Sequence, residues 1–215
     1  MMARPKSDSI PLVHVVDDDR AARDATARFL RAAGYAVRTY ATATEFLESA
    51  PLTTHGCIVL DLQLPGLSGL DLQRELACRD EPLPIVFLSG RSDVPHSVQA
   101  MKGGAVDFLT KDADGSELLA AVANALFRDN ADRAMRLRLR GLRERHDRLS
   151  PREREVLAHL ISGQLNKQVG FDLGISEQTT KIHRHRVLEK MQADSIPDLV
   201  RMASALGIVP IGAVR

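Results

Sequence analysis

Five polar residues in the first half of the chain have types that can do phosphorus chemistry together: Asp17, Asp18, Asp61, Ser89 and Lys111. An Asp carboxylate can attack phosphorus as a nucleophile and form an acyl phosphate. Clustered carboxylates repel one another, so three of them need a cation. An all-oxygen donor set suits Mg2+ (or Mn2+), which keeps several waters and binds phosphate oxygens. A lysine supplies a point charge to one phosphoryl oxygen, and a serine hydroxyl can donate a hydrogen bond to another. Taken singly, each residue has a plainer reading. Asp after a strand often starts a turn, Ser89-Gly90 is a loop, and Lys111 is a surface lysine. Only convergence makes them a site.

Convergence depends on the elements that carry them. Nearly continuous apolar runs cover 12–16, 35–40, 57–60, 85–88 and 105–109. That is the pattern of parallel strands covered on both faces. Amphipathic stretches lie between them. Ala22, Ala25, Phe29 and Ala33 share one helical face, and Val94, Val98 and Met101 share another. A helix over about 116–127 turns Leu118, Leu119, Val122 and Leu126 inward. Five βα units predict an α/β fold, an open doubly wound sheet with right-handed crossovers. Asp17 and Asp18 then follow the first strand, Asp61 and Ser89 end the third and fourth, and Lys111 follows the fifth. Ligands of such sheets bind at the carboxyl ends of the strands, at the switch point in strand order. With the first strand beside the third, the five residues meet in one pocket.

The net charge of +1 hides a polarity along the chain. Residues 1–127 hold 12 Lys+Arg against 17 Asp+Glu, residues 128–149 hold 8 against 4, and residues 150–215 hold 9 against 7. An acidic front and a basic rear suggest two jobs, with nucleic acid a candidate partner of the rear. Cys57 and Cys78 make neither a disulfide framework nor a zinc spacing, which fits a reduced compartment. The first residues have no apolar signal core, and no stretch is long enough to span a bilayer. These features predict a cytoplasmic protein without a membrane partner.

Residues 128–149 read as an Arg-rich helical linker whose stripe of Met135, Leu137, Leu139 and Leu142 is weak. Its basic side is either solvated or in touch with DNA phosphates. From residue 150 the pattern is helical only. Ser150-Pro151-Arg152-Glu153 is a capping box with Pro at N1. Further helices are expected over about 166–173, from a Ser176 cap to about 192, and over about 197–206. On the third, Thr180, His183, Val187 and Met191 share an inward face, leaving Lys181, Ile182, Arg184 and His185 elsewhere. A helix with one packed face and one basic face suits the major groove. His183 reads as structural.

VVDDD, VLDLQLPGLSGLDL, IVFLSGRSDV and AMKGGAVDFLTK resemble the receiver domain of two-component response regulators, and 149–192 resembles a LuxR-type helix-turn-helix domain. Together the chain resembles the FixJ/NarL family. The resemblance implies a flavodoxin-like receiver over 10–127 with strand order 2-1-3-4-5, the linker over 128–149, and an all-α DNA-binding domain over 150–215. It implies that Asp61 accepts phosphate from a histidine kinase. Asp18 and Asp61 would bind Mg2+, with Asp17 close by and the Gln63 carbonyl as a further ligand. Ser89 and Phe108 would be the switch residues. Base-edge contacts would come from Lys181, Ile182 and His185, and phosphate contacts from Asn166, Lys167, Thr179 and Arg184. Promoter DNA, a second copy of the chain in a phosphorylation-dependent homodimer, and RNA polymerase are the partners it suggests.

Three residues depart from the family pattern: Asp112 where Pro usually follows the lysine, Thr180 for Val, and Gly170 for Ala. A cis bond to a non-proline residue costs about 2.5–4 kcal/mol, so the Lys111–Asp112 bond is expected to be trans, with a changed loop. A phosphate-independent receiver stays open as an alternative. An Asp-nucleophile phosphatase is disfavoured, because Gln63 stands where a second carboxylate would act as general acid. A flavin-type cofactor binder is disfavoured by DDDR in place of a phosphate loop.

Overall fold

The computed structural model describes residues 11–50, 55–78, 82–90 and 94–211. Arg91, Ser92 and Asp93 of the IVFLSGRSDV motif lie outside the described residues, as do Ile10 and 212–215 at the ends of the expected domains. The chain divides into two compact units, Met1–Asp132 and Arg133–Arg215.

The first unit is built on five strands: β1 Leu12–Val16, β2 Ala36–Tyr40, β3 Gly56–Leu60, β4 Ile85–Ser89 and β5 Asp107–Thr110. All neighbours are parallel, in the order β2-β1-β3-β4-β5. The helices between them are α1 Arg20–Ala32, α2 Ala43–Ser49, α3 Gly69–Ala77 and α4 Val94–Lys102, and α5 Gly115–Asp147 follows β5. This is the expected flavodoxin-like arrangement. Residues on the strands alternate between the two faces. Ile58, Leu60 and Phe87 join Phe46, Leu72, Leu76 and Ala100 on one side. Cys57, Val59, Val86 and Leu88 join Leu30, Leu118, Val122 and Leu126 on the other. Burial on both sides explains why the strand sequences read as continuous apolar runs.

Three sequence expectations need correction. On α1 the buried residues are Ala27 and Leu30, while Ala25, Phe29 and Ala33 are exposed. Alanines line both candidate faces, and Leu30 has more apolar area to bury than any of them. The Phe29 ring instead lies over Gly115, where an added Cβ would meet it at 2.5 Å. On α4 only Ala100 is buried, and Val94, Val98 and Met101 face outward. The helix expected to end near residue 127 runs on as α5 to Asp147, through the linker region. Gly141 does not break it.

The second unit holds α6 Pro151–Ile161, α7 Asn166–Leu173, α8 Glu177–Met191 and α9 Ile196–Ala205. Serines cap α6, α8 and α9. Ser150 and Glu153 form the predicted capping box, Ser176 accepts from the Thr179 N–H, and Ser195 accepts from the Asp198 N–H. Each such cap contributes about 1 kcal/mol. Leu149, Val156, Leu157, Leu160, Val169, Val187, Met191 and Leu199 form one core. Glu153 is buried and receives the Lys190 ammonium at 2.6 Å, tying α6 to α8. The left-handed Gly174, at φ 64°, makes the turn between α7 and α8.

Candidate functional site

β1 delivers Asp17 and Asp18 at its carboxyl end, and β3 delivers Asp61 beside them. The strands are in register there, with Val16 opposite Leu60 and the Asp61 N–H donating to the Val16 carbonyl at 2.8 Å. One carboxylate oxygen from each of Asp17, Asp18 and Asp61 lies within 4.8 Å of the others. Asp17 and Asp61 are buried, and Asp18 is exposed. Lys111 follows β5, which is not adjacent to either strand. Its side chain crosses β4 to place Nζ 2.7 Å from Asp17 Oδ2 and 2.7 Å from Asp61 Oδ2. The Lys111 N–H donates to the Ser89 carbonyl at 2.8 Å, which fixes the lysine to the end of β4.

The loop that begins with Asp112 therefore does not displace Lys111. Its peptide bond is trans, and the ammonium still reaches both carboxylates. The electrostatics are tense. Burial raises the Asp17 carboxyl above the usual range, the Lys111 ammonium opposes that rise, and the Asp61 charge adds to it. Burial alone would lower Lys111, but hydrogen bonds and attraction from Asp17 and Asp61 raise it.

Close backbone packing sets the floor of the pocket. Gly69 opens α3 against β3, and a Cβ there would stand 2.3 Å from the Asp61 carbonyl oxygen. The Gln63 N–H donates to Asp61 Oδ1 at 3.2 Å, and the Asp19 N–H donates to Asp17 Oδ1 at 2.9 Å. Ser89 is buried at the end of β4. Phe108, two strand residues before Thr110, is half-buried with its ring stacked on Phe87 at 5.9 Å. Sequence reasoning misses Arg23. Its guanidinium donates to the Asp17 carbonyl at 2.6 Å and the Asp18 carbonyl at 3.3 Å, bracing the β1–α1 turn. A long basic side chain six residues away gives no signal in a linear reading.

In the second unit α8 carries the other group. Thr180, Val187 and Met191 are buried and His183 is half-buried, so the packed face is the predicted one. Lys181, Ile182 and His185 are exposed. Lys181 Nζ pairs with Glu177 Oε1 at 3.1 Å, one turn earlier. The Arg184 guanidinium donates to Asn166 Oδ1 at 3.3 Å, linking the first turn of α7 to α8. Lys167 is exposed beside Asn166, and the Thr179 hydroxyl lies 2.8 Å from that of Ser176. Gln178, not singled out from sequence, shares the outward face at i, i+4 and i+7 with Ile182 and His185. Two departures from the family pattern meet here. A Cβ on Gly170 would stand 2.8 Å from the Ile175 carbonyl oxygen and 3.2 Å from Thr180 Oγ1.

Residues 13–123 match the family described as response regulator receiver domain, and 147–203 match bacterial regulatory proteins, luxR family. The chain is 41% identical over 203 residues to the transcriptional regulatory protein FixJ of Azorhizobium caulinodans, covering 94% of this chain and 96% of that one. This chain belongs to the FixJ/NarL-type response regulators. The response regulator protein TodT of Pseudomonas putida is also 41% identical over 203 residues, covering 94% of this chain and 89% of TodT. Among solved structures, the response regulator StyR superposes with a TM-score of 0.82 at 40% identity, covering 91% of this chain and 99% of that one. As a FixJ-type response regulator the chain is a transcription regulator with a receiver and a LuxR-type DNA-binding domain. Phosphorylation-dependent activation is the standard mechanism of this family. The receiver implies a histidine kinase as partner. No helix among the described residues is long and apolar enough to cross a membrane.

Proposed function

We propose that Asp61 is the phosphoacceptor, that Lys111 and Ser89 bind the phosphoryl oxygens, and that Ser89 and Phe108 turn inward once the group is attached. The single observation that carries this reading is the Lys111 ammonium held 2.7 Å from both Asp17 and Asp61. A cation gripped by two carboxylates is already placed beside the nucleophile. Asp17, Asp18 and Asp61 fit Mg2+ by donor chemistry, since all three offer carboxylate oxygens in one cluster. They would hold the ion with the Gln63 carbonyl. An ion held there would supply positive charge to offset that on the transferring group.

The phosphoryl group adds about −1.5 to −2 charges and three acceptor oxygens. That gain favours the receiver conformation in which Ser89 meets the new oxygens, and the shift is one of population. The outcome in this reading is a homodimer whose α8 helices read promoter DNA. Lys181, Ile182 and His185 contact base edges, while Asn166, Lys167, Thr179 and Arg184 hold phosphates. The division into receiver 10–127, linker 128–149 and DNA-binding domain 150–215, the cytoplasmic location, and contact with RNA polymerase belong to the same proposal. So does the absence of an enzymatic role.

The test is binding to selected DNA, by gel shift or anisotropy, with and without Mg2+ and acetyl phosphate, for wild type and Asp61→Asn. Tighter binding that needs donor, metal and Asp61 is the expected result. Binding indifferent to all three would move the receiver to a phosphate-independent role.

A further inference from the structure

A cavity that shares Lys111 with the acidic pocket carries a charge that the usual proline would not supply. Gly90, Thr110, Lys111 and Asp112 line an open cavity of about 640 Å³. Asp112 is exposed there, and hydrogen bonds from the Thr110 hydroxyl and its own backbone hold its carboxyl below the usual range. It is therefore ionised at neutral pH. The adjacent Lys111 does not neutralise it, because that ammonium points inward to Asp17 and Asp61. The charges of the pocket can be counted. Asp17, Asp18 and Asp61 carry three negative charges. Lys111 and a bound divalent cation would carry three positive ones. The Asp cluster is then neutral before a donor arrives, and among the described residues that line the adjoining cavity Asp112 adds a negative charge that Lys111 does not offset.

We propose that Asp112 is a donor-selectivity residue, whose carboxylate at the cavity mouth repels small anionic phosphodonors and favours transfer from a protein-borne phosphohistidine. A protein donor brings an interface whose contacts outweigh one repulsive charge. A small dianion has no such compensation. The inference rests on the reading of Asp61 as phosphoacceptor. With acetyl phosphate, an Asp61 carboxylate oxygen forms the new O–P bond as the P–O bond to acetate breaks. Acetate leaves with the electron pair, and no redox partner is needed.

Single-turnover labelling of the full chain at saturating Mg2+ tests it, with acetyl phosphate (a dianion) and phosphoramidate (a monoanion) as donors. A unit charge and a dianion roughly 10 Å apart in water at low ionic strength repel by a Coulomb energy equivalent to about threefold in rate. Asp112→Asn should therefore react about threefold faster than wild type with acetyl phosphate in low salt. The gap should narrow as salt is added and be smaller with phosphoramidate, and Asp112→Glu should restore the wild-type rate. Equal rates, or a gap that ignores salt and donor charge, overturn the selectivity role while leaving Asp61 as acceptor. No label on either protein, both folded by circular dichroism, overturns the phosphoacceptor reading and this inference with it.

Discussion

The acidic pocket and the exposed face of α8 solve recognition in opposite ways. The pocket collects Asp17, Asp61, Ser89 and Lys111 from four separate strand ends and buries three of them. Its polar groups are strained by burial and by each other, as the raised Asp17 carboxyl records. The α8 face uses neighbours within a few turns of one helix, and leaves Lys181, Ile182 and His185 in water. Its charges cost little to hold, and the Lys181–Glu177 pair is an exposed pair of the kind worth at most about 1 kcal/mol. A buried pocket stores electrostatic tension that a phosphoryl group can redistribute. An exposed helix face stores none and can only be presented or withheld. In the proposed reading the switch therefore belongs in the first region and the reader in the second.

The largest expected effect breaks the reader apart by role. Lys181→Ala should lower affinity for the selected duplex by about 1–3 kcal/mol and relax preference at one base pair. Arg184→Ala should weaken all duplexes alike and reduce the salt slope by about one. Fluorescence anisotropy on matched and mismatched duplexes over a salt series separates them. Equal losses on every duplex for Lys181→Ala would mean that the face acts as charge alone.

Next in size is Glu153, the one carboxylate among the described residues of the second unit that is buried like those of the pocket. Burial alone would raise its carboxyl, but Lys190 and the Ser150 cap bring it below the usual range. Its contribution is therefore complete above the ordinary carboxylate pKa and is lost as pH falls through the depressed value. Glu153→Gln should destabilise this domain by about 2 kcal/mol at neutral pH, less than a fully buried pair because Lys190 is partly exposed. Urea denaturation at pH 7 should show this loss, and at pH 3 the two proteins should differ less.

The smallest effect has the opposite sign. The folded Asp17 carboxyl titrates above its unfolded value, so its penalty develops as pH rises through that window and persists at neutral pH. Asp17→Asn should stabilise the receiver slightly while weakening its response to Mg2+. Thermal melts with and without Mg2+ would reveal it. A destabilised variant would mean that the Lys111 bridge outweighs the burial cost.

Much of this was local enough to read in a line of residues. Runs of β-branched and aliphatic residues marked β1, β3 and β4, and Ser150, Ser176 and Gly174 marked the ends of α6, α7 and α8, because caps and strand runs act over four or five residues. The packed face of α8 followed from its 3.6-residue period alone. Other features needed partners far along the chain. The inward face of α1 was decided by what Leu30 could bury, and the outward face of α4 by the small Ala100 beneath it. The continuation of α5 past residue 127 has a nonlocal support as well: buried Asp129 accepts from the Gly56 N–H at 3.0 Å and meets His55 at the start of β3. Residue types and order determined which chemistry the chain can do. Only the tertiary structure decided that Lys111 reaches across β4 to Asp17 and Asp61, that Arg23 braces the turn, and that Asp112 lines a cavity with Gly90 and Lys111. Those facts depend on strand order and side-chain reach, which no periodicity in the sequence encodes.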